Sequence, residues 1–277
     1  MNNTYRLSDY KLIVFDIDGT LVGSSHVLDL YTRDTLLQLH DLGIPFTLAT
    51  GKILPATKAQ ADELRIQLPL IMANGSVLQK RHGEILYNAA LPVDVTNRAI
   101  QICEELNKDL VIYIIDQLYI KKMNDNIYPI YSNVSSGINE LGDWEIINSR
   151  ISQVTKCLVV DIENQQNLIE LGNIFLKEFE GRADIVHTST KLVEILPLGV
   201  TKATAVKRMA DEMGIRMEEV MAFGDYDNDA PMLSAVGLGI AVENASAAAK
   251  AAADLIIGSC EDDAPAKFLR ELINVVR

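Results

Sequence analysis

Two short acidic segments stand at the ends of apolar runs. Asp16 and Asp18 lie two apart in Asp16-Ile17-Asp18-Gly19-Thr20, directly after Lys11-Leu12-Ile13-Val14-Phe15. Asp225 and Asp229 lie four apart, directly after Val220-Met221-Ala222-Phe223-Gly224. Clustering uncompensated carboxylates is electrostatically expensive, and a hard divalent cation with oxygen ligands is the natural resolution. Magnesium suits a site shared between one or two carboxylates, water and a phosphate. The formal net charge of −13 points the same way. It disfavours nucleic acid and anionic membranes as partners, and it requires any phosphate site to carry its own positive charge, from a metal or a lysine.

The elements that must position these residues alternate. The run ending at Phe15 reads as a buried strand, followed by a helix with Leu30, Leu36, Leu37 and Leu39 on one side and Gly43 as its stop. Phe46–Ala49 reads as a strand ending at Thr50-Gly51, Pro55–Leu64 as a helix, and Leu70–Met72 as a strand leading into Asn74-Gly75. Val77–Leu86 reads as a hairpin that breaks the rhythm. From about 88 to 190 the pattern is that of a small α+β unit: a helix over Val93–Leu106, paired runs at Leu110–Ile115 and Leu118–Lys121, a polar stretch through Ser136, Cys157–Asp161, a helix over Asn164–Phe179, and Ala183–Thr188. The first rhythm resumes at Leu192–Leu196, continuing with a helix over Thr201–Met213, Val220–Phe223, a helix after Asp229, Leu238–Ala241, the alanine-rich helix Ala245–Ala253, and Ala264–Val275. The expected fold is therefore α/β: a parallel-sheet, Rossmann-like core over 1–86 and 190–277, interrupted by a smaller α+β cap over 87–189. In such sheets ligands bind at the carboxyl ends of strands, where both aspartate pairs fall.

The 277 residues allow two modest domains, and 48% hydrophobic with 23% charged residues is a globular balance. Met1–Tyr10 is polar and no apolar run approaches the roughly 20 residues of a membrane span, so a cytoplasmic protein is expected. Cys103, Cys157 and Cys260 are widely spaced and read as reduced thiols rather than a disulfide framework or zinc site. The four histidines show no metal-ligand spacing, and Trp144 reads as packing.

These motifs, in this order, resemble the haloacid dehalogenase-like superfamily, in particular its Cof-type phosphatases with a large inserted α/β cap. The likeness covers nearly the whole chain through Asp16–Thr20, Thr50-Gly51, Lys202 and Gly224-Asp225-Tyr226-Asp227-Asn228-Asp229. It implies a hydrolase of phosphoric monoesters in which Asp16 attacks phosphorus, and Asp18 protonates the leaving oxygen and then activates water. Thr50, Gly51, Lys202 and Asn228 would bind the phosphoryl group. Magnesium would be held by Asp16, the Asp18 backbone carbonyl and Asp225. Gly19, Thr20, Asp229 and Asn244 would support the site, with a helix N-cap an equal explanation for Asn244. Two positions depart from the pattern: Lys52 follows the Thr-Gly pair where arginine is usual, losing the planar fork, and Ala203 follows Lys202 where glycine is common. Specificity is expected on the cap's inner surface, where Tyr113, Tyr119, His187 and Glu194 are the candidates, each competing with a core or solvent-facing role.

The expected activity is hydrolysis of phosphorylated small metabolites, sugar phosphates foremost. The alternatives are a phosphomutase or phosphotransferase, which passes the same aspartyl-phosphate to an alcohol, and a metabolite-binding protein without turnover.

Overall fold

The computed structural model of the chain describes residues 5–132, 134, 136–162 and 164–276. Residues 1–4 of the polar N-terminal stretch, and Asn133 and Ser135 of the polar stretch before Gly137, lie outside that set. In chain order the elements are β1 (Leu12–Phe15), α1 (Leu30–Asp41), β2 (Phe46–Leu48), α2 (Leu54–Glu63), β3 (Leu70–Met72), β4 (Val77–Gln79) and β5 (Ile85–Asn88). Then come α3 (Val93–Glu105), β6 (Asp109–Ile114), β7 (Gln117–Ile120), α4 (Tyr128–Tyr131), β8 (Ile138–Glu140), β9 (Lys156–Val160), α5 (Gln165–Glu178), β10 (Ala183–Ser189) and β11 (Leu192–Pro197). The chain closes with α6 (Lys202–Met213), β12 (Val220–Gly224), α7 (Ala230–Ala235), β13 (Leu238–Ala241), α8 (Ala247–Ala252), β14 (Leu255–Ile256) and α9 (Ala264–Val276).

The core sheet runs β14-β13-β12-β1-β2 among the described residues, with every pairing parallel. Every residue of β1 and β12 is buried, as expected of central strands covered on both faces. On one face α1 and α9 bring Leu36, Leu39, Leu269 and Ile273 against Ile13, Phe15, Met221 and Phe223; on the other, α6 and α7 bring Val206, Met209 and Leu233 against Val14 and Ala222. The rings of Phe15 and Phe223 stack at 4.9 Å. Sequence order reverses at β1, with β2 on one side and β12 on the other, so a crevice opens at their carboxyl ends. The register pairs Phe15 with Phe223, which brings Asp16, just past the end of β1, level with Gly224, the last residue of β12.

The second sheet, β10-β11-β9-β6-β7-β8, is antiparallel except for the β7–β8 pair. One face is covered by α3 and α5, through residues such as Val95, Ala99, Leu168 and Phe175. The other face carries Tyr113, Leu118, Leu158 and Val160 and turns toward the crevice.

Three sequence expectations need correction. Leu192–Leu196 does not resume the parallel rhythm: β11 lies antiparallel between β10 and β9, joined to β10 by a tight turn at Thr190-Lys191. A short buried apolar run has no periodicity that distinguishes the two sheets. Accordingly, we propose domain borders near residues 89–91 and 198–200. Strand β3 meets β2 through a single parallel bridge, Ala49 with Ile71, and otherwise pairs antiparallel with β4 in a small three-stranded sheet. In α1, Leu30 is 62% exposed while Thr32 and Thr35 take inward positions. Thr32 is held there by Asp263 and Thr35 by the Tyr31 carbonyl, which satisfies their hydroxyls.

Gly75 has φ +100°, and a Cβ there would sit 2.2 Å from the Thr201 carbonyl oxygen, at the start of α6. Gly83 has φ +98° and open space around it. Gly83→Ala is expected to cost about 1–2 kcal/mol for the backbone alone. Gly75→Ala should cost at least about 1 kcal/mol more through the clash. Urea denaturation of both variants, with m-values compared, checks the difference.

Candidate active site

Lys202 is the first residue of α6, and its placement is set by a reciprocal cap. Thr201 Oγ1 accepts from the Thr204 N–H at 3.2 Å, and Thr204 Oγ1 accepts from the Thr201 N–H at 2.9 Å. From that fixed start the side chain runs inward, 1% exposed, and its ammonium donates to Asp16 Oδ1 at 2.5 Å and Asp229 Oδ1 at 2.6 Å. The other oxygen of Asp229 accepts the backbone N–H groups of Asp225 and Tyr226, at 3.0 and 3.1 Å. Asp229 is thus occupied on both oxygens and shapes the loop after β12.

Asp225 accepts from the Thr20 hydroxyl at 3.1 Å. Gly19 has φ +83° and lies so close that a Cβ would stand 2.3 Å from Asp225 Oδ2. Only glycine allows this approach of the two acidic loops. The Gly19 carbonyl accepts from the Asn244 amide at 2.8 Å, and Asn244 Oδ1 accepts from the Cys260 N–H at 2.9 Å. Asn244 therefore ties loops together, and the cap of α8 is Ser246.

The Thr50–Gly51 turn faces this cluster. Thr50 is anchored through its N–H to the Ile71 carbonyl at 2.8 Å, and its hydroxyl accepts from the Lys52 N–H at 3.2 Å. The Lys52 ammonium donates to Asp18 Oδ1 at 2.6 Å. The lysine that replaces the usual arginine thus pairs with the second aspartate of the opening motif. Asn228 donates to Asn74 Oδ1 at 2.9 Å, and Asn74, held at φ 57°, donates to Glu194 Oε2 at 2.7 Å in the cap. Lys156 completes this chain through Glu194 Oε1 at 2.8 Å.

Asn74 and Lys156 were not among the sequence candidates. Each had a signal: Asn-Gly favours a left-handed turn, and Lys156 shares a strand face with Leu158 and Val160, where a charge has no structural excuse. Among the cap candidates, Tyr113 and Glu194 line the cavity. Tyr119 and His187 do not. Tyr119 packs on the helix-covered face beside Arg150, and His187 lies against Gly172 of α5. Trp144 is buried in that same packing, and the three cysteines are free and buried.

Carboxylate oxygens of Asp16, Asp225 and Asp229 lie within 4.8 Å of one another. With all three carboxylates ionised, one ammonium would leave two negative charges in a largely buried cluster. Burial, reinforced by Asp229 and Asp225, pushes Asp16 well above the usual carboxylate range despite Lys202. Burial and then Asp229 push Asp225 up to about 6. Lys202 is held above its ordinary range: burial opposes its charge, but Asp16 and Asp229 outweigh that. The donor set is all oxygen and the charge is unbalanced, which fits a hard divalent cation. With Asp229 engaged elsewhere, Asp16 and Asp225 are the side chains available to hold one. A cavity of about 350 Å³ extends from these residues to the inner face of the cap.

Residues 13–269 match the family described as haloacid dehalogenase-like hydrolase. The chain is 28% identical over 268 residues to a protein of Yersinia pseudotuberculosis serotype I named HMP-PP phosphatase, covering 96% of each. A crystal structure of a haloacid dehalogenase-like hydrolase from Bacteroides thetaiotaomicron superposes with TM-score 0.84 at 26% identity, covering 95% of this chain and 99% of that one. A putative HAD/COF-like hydrolase from Plasmodium vivax has TM-score 0.86 at 21% identity, covering 96% of each, a likeness of fold.

The raised Asp225 carboxyl has a consequence for stability. Its folded value of about 6 exceeds its ordinary 3.8, so the ionised form opposes folding. Without divalent cation, stability should fall as pH rises through that window. Asp225→Asn should then raise metal-free stability at pH 7 by about 1–3 kcal/mol. Thermal unfolding in chelator at pH 4.5 and 7 checks both signs.

Proposed function

The chain belongs to the family of haloacid dehalogenase-like hydrolases, and on that premise we propose a magnesium-dependent phosphatase that hydrolyses phosphate monoesters of small metabolites, sugar phosphates foremost, through an aspartyl-phosphate on Asp16. The observation that carries this reading is the buried Lys202 ammonium on Asp16 Oδ1. It fixes the carboxylate at the floor of the cavity, with Oδ2 left to attack. The relatives named HMP-PP phosphatase support phosphatase chemistry.

In the first step Asp16 Oδ2 forms a bond to phosphorus while the bond from phosphorus to the ester oxygen breaks, and Asp18 gives its proton to that oxygen. In the second, Asp18 takes a proton from water, the water oxygen bonds to phosphorus, and the bond to Asp16 breaks. Lys52 restrains Asp18 through its 2.6 Å contact. Thr50 and Gly51 offer a hydroxyl and a backbone N–H to the phosphoryl oxygens, with Asn228 and Lys202 on the other side. Magnesium, held by Asp16, Asp225 and the Asp18 carbonyl, would neutralise the acidic cluster so that a phosphate dianion can approach. Gly19, Thr20, Asp229 and Asn244 hold the loops.

Hydrolysis should release inorganic phosphate from sugar phosphates, stop on chelation and return with magnesium. Isomerised sugar phosphate without free phosphate would instead indicate a mutase, and no turnover of any ester would indicate a binding protein. Asp18→Asn is expected to lower kcat by about 10²–10⁴. A colorimetric phosphate assay with parallel chromatography of the sugar phosphates makes these measurements.

A further inference from the structure

The cap face over the cavity is largely apolar, with Leu118, Leu158 and Leu192 among its residues. Lys156 and Glu194 interrupt it, 1% and 3% exposed. They sit on neighbouring strands, β9 and β11, both in the register that faces the crevice. Lys156 Nζ is 2.8 Å from Glu194 Oε1 and 4.3 Å from the centre of the Tyr113 ring. Thr188 donates to Glu194 Oε1 at 3.1 Å, and Asn74 to Oε2 at 2.7 Å. A buried ion pair of this kind is a poor stability device, because well-packed apolar residues of similar volume generally do as well or better. Its presence in a cavity wall calls for another reason.

Donor counting supplies one. An ammonium has three N–H groups and an ionised carboxylate about four acceptor positions. Glu194 and the Tyr113 ring take two of the N–H groups, and Lys156, Thr188 and Asn74 take three of the acceptor positions. Among the described residues this leaves one N–H of Lys156 and one acceptor position on Glu194 Oε2 within a single ion pair that has no net charge. The hydroxyls of Tyr113 and Tyr131, 2.7 Å apart, leave one further phenolic proton nearby.

We propose that Lys156 and Glu194 form the distal subsite of the cavity, selecting phosphorylated metabolites whose far end is a neutral hydrogen-bonding group, such as a hydroxyl or amino group, over those ending in a second anion. The proposal rests on the phosphatase reading. A hydroxyl can accept from Lys156 while donating to Glu194. A carboxylate or second phosphate would be buried beside Glu194 with no cation to spare, and an apolar end would leave both groups unmatched. Asn74 links Glu194 to Asn228 on the catalytic loop, which sets the spacing between the phosphoryl and distal ends.

The test measures kcat/KM of the full chain with magnesium on esters that share a phosphate and carbon skeleton and differ at the far end. The pairs are glucose 6-phosphate with 6-phosphogluconate and glycerol 3-phosphate with 3-phosphoglycerate, and phenyl phosphate is the reference without a distal polar group. The neutral member of at least one pair should exceed both its acid partner and phenyl phosphate about tenfold or more. Glu194→Gln leaves the cation alone and should lower the neutral-to-acid ratio by about tenfold, while Lys156→Met leaves the anion alone and should raise it. Lys156→Met combined with Glu194→Gln removes both charges at nearly constant volume, guards against misfolding, and should fall between the single variants. A merely structural role moves both members of a pair together. A ratio unmoved in every variant that keeps a cooperative melt, or a wild type preferring the acid ester or phenyl phosphate, overturns the proposal. Failure of wild type to hydrolyse any ester, phenyl phosphate included, instead overturns the phosphatase reading on which it rests.

Discussion

The ammonium of Lys202, shared between Asp16 and Asp229, is the interaction on which the rest of the core depends. A charge this deep is tolerable only when paired and hydrogen-bonded, and breaking such a pair costs about 3–5 kcal/mol. Each neighbouring element can be understood as fixing one end of it. The β1–β12 register delivers Asp16, the reciprocal threonine cap sets the start of α6, and the N–H groups of Asp225 and Tyr226 lock Asp229. Gly75, pressed against Thr201, ties the third loop to the same helix start.

The arrangement still leaves the cluster with excess negative charge, and that imbalance links stability to function. Burial, and then the charge of Asp229, make both Asp16 and Asp225 resist ionisation, so the protein carries electrostatic strain where a cation and a phosphate would relieve it. Lys52 on Asp18 extends the network toward solvent, and the Asn228–Asn74–Glu194 chain extends it into the cap. The two sheets thus meet through polar contacts set in apolar walls, an arrangement suited to reading both ends of one small molecule.

The strand-end aspartates, the Thr-Gly turn, Lys202 and the interrupted α/β pattern were legible because each depends on local order: an apolar run, then a turn, then the reactive side chain. Position along the chain said less where pairing is long-range. Leu192–Leu196 looks like a core strand, but its partners are β9 and β10, and β3 carries the same ambiguity. Asn74 and Lys156 gain their roles through partners 120 and 38 residues away, Glu194 in both cases. Tyr119 and His187 sit one register position from cavity-facing Leu118 and Thr188, and that single step places them on the opposite face of the cap sheet.

The central claim, that Lys202 presents Asp16 as the nucleophile, is tested most directly by trapping the covalent adduct. The protein would be acid-quenched during turnover of a phosphate monoester, reduced with borohydride, and its peptides mapped by mass spectrometry. Reduction at position 16, dependent on substrate and absent when the protein is quenched without it, is the predicted result. An active enzyme that gives no adduct, or an adduct at another residue, would contradict it.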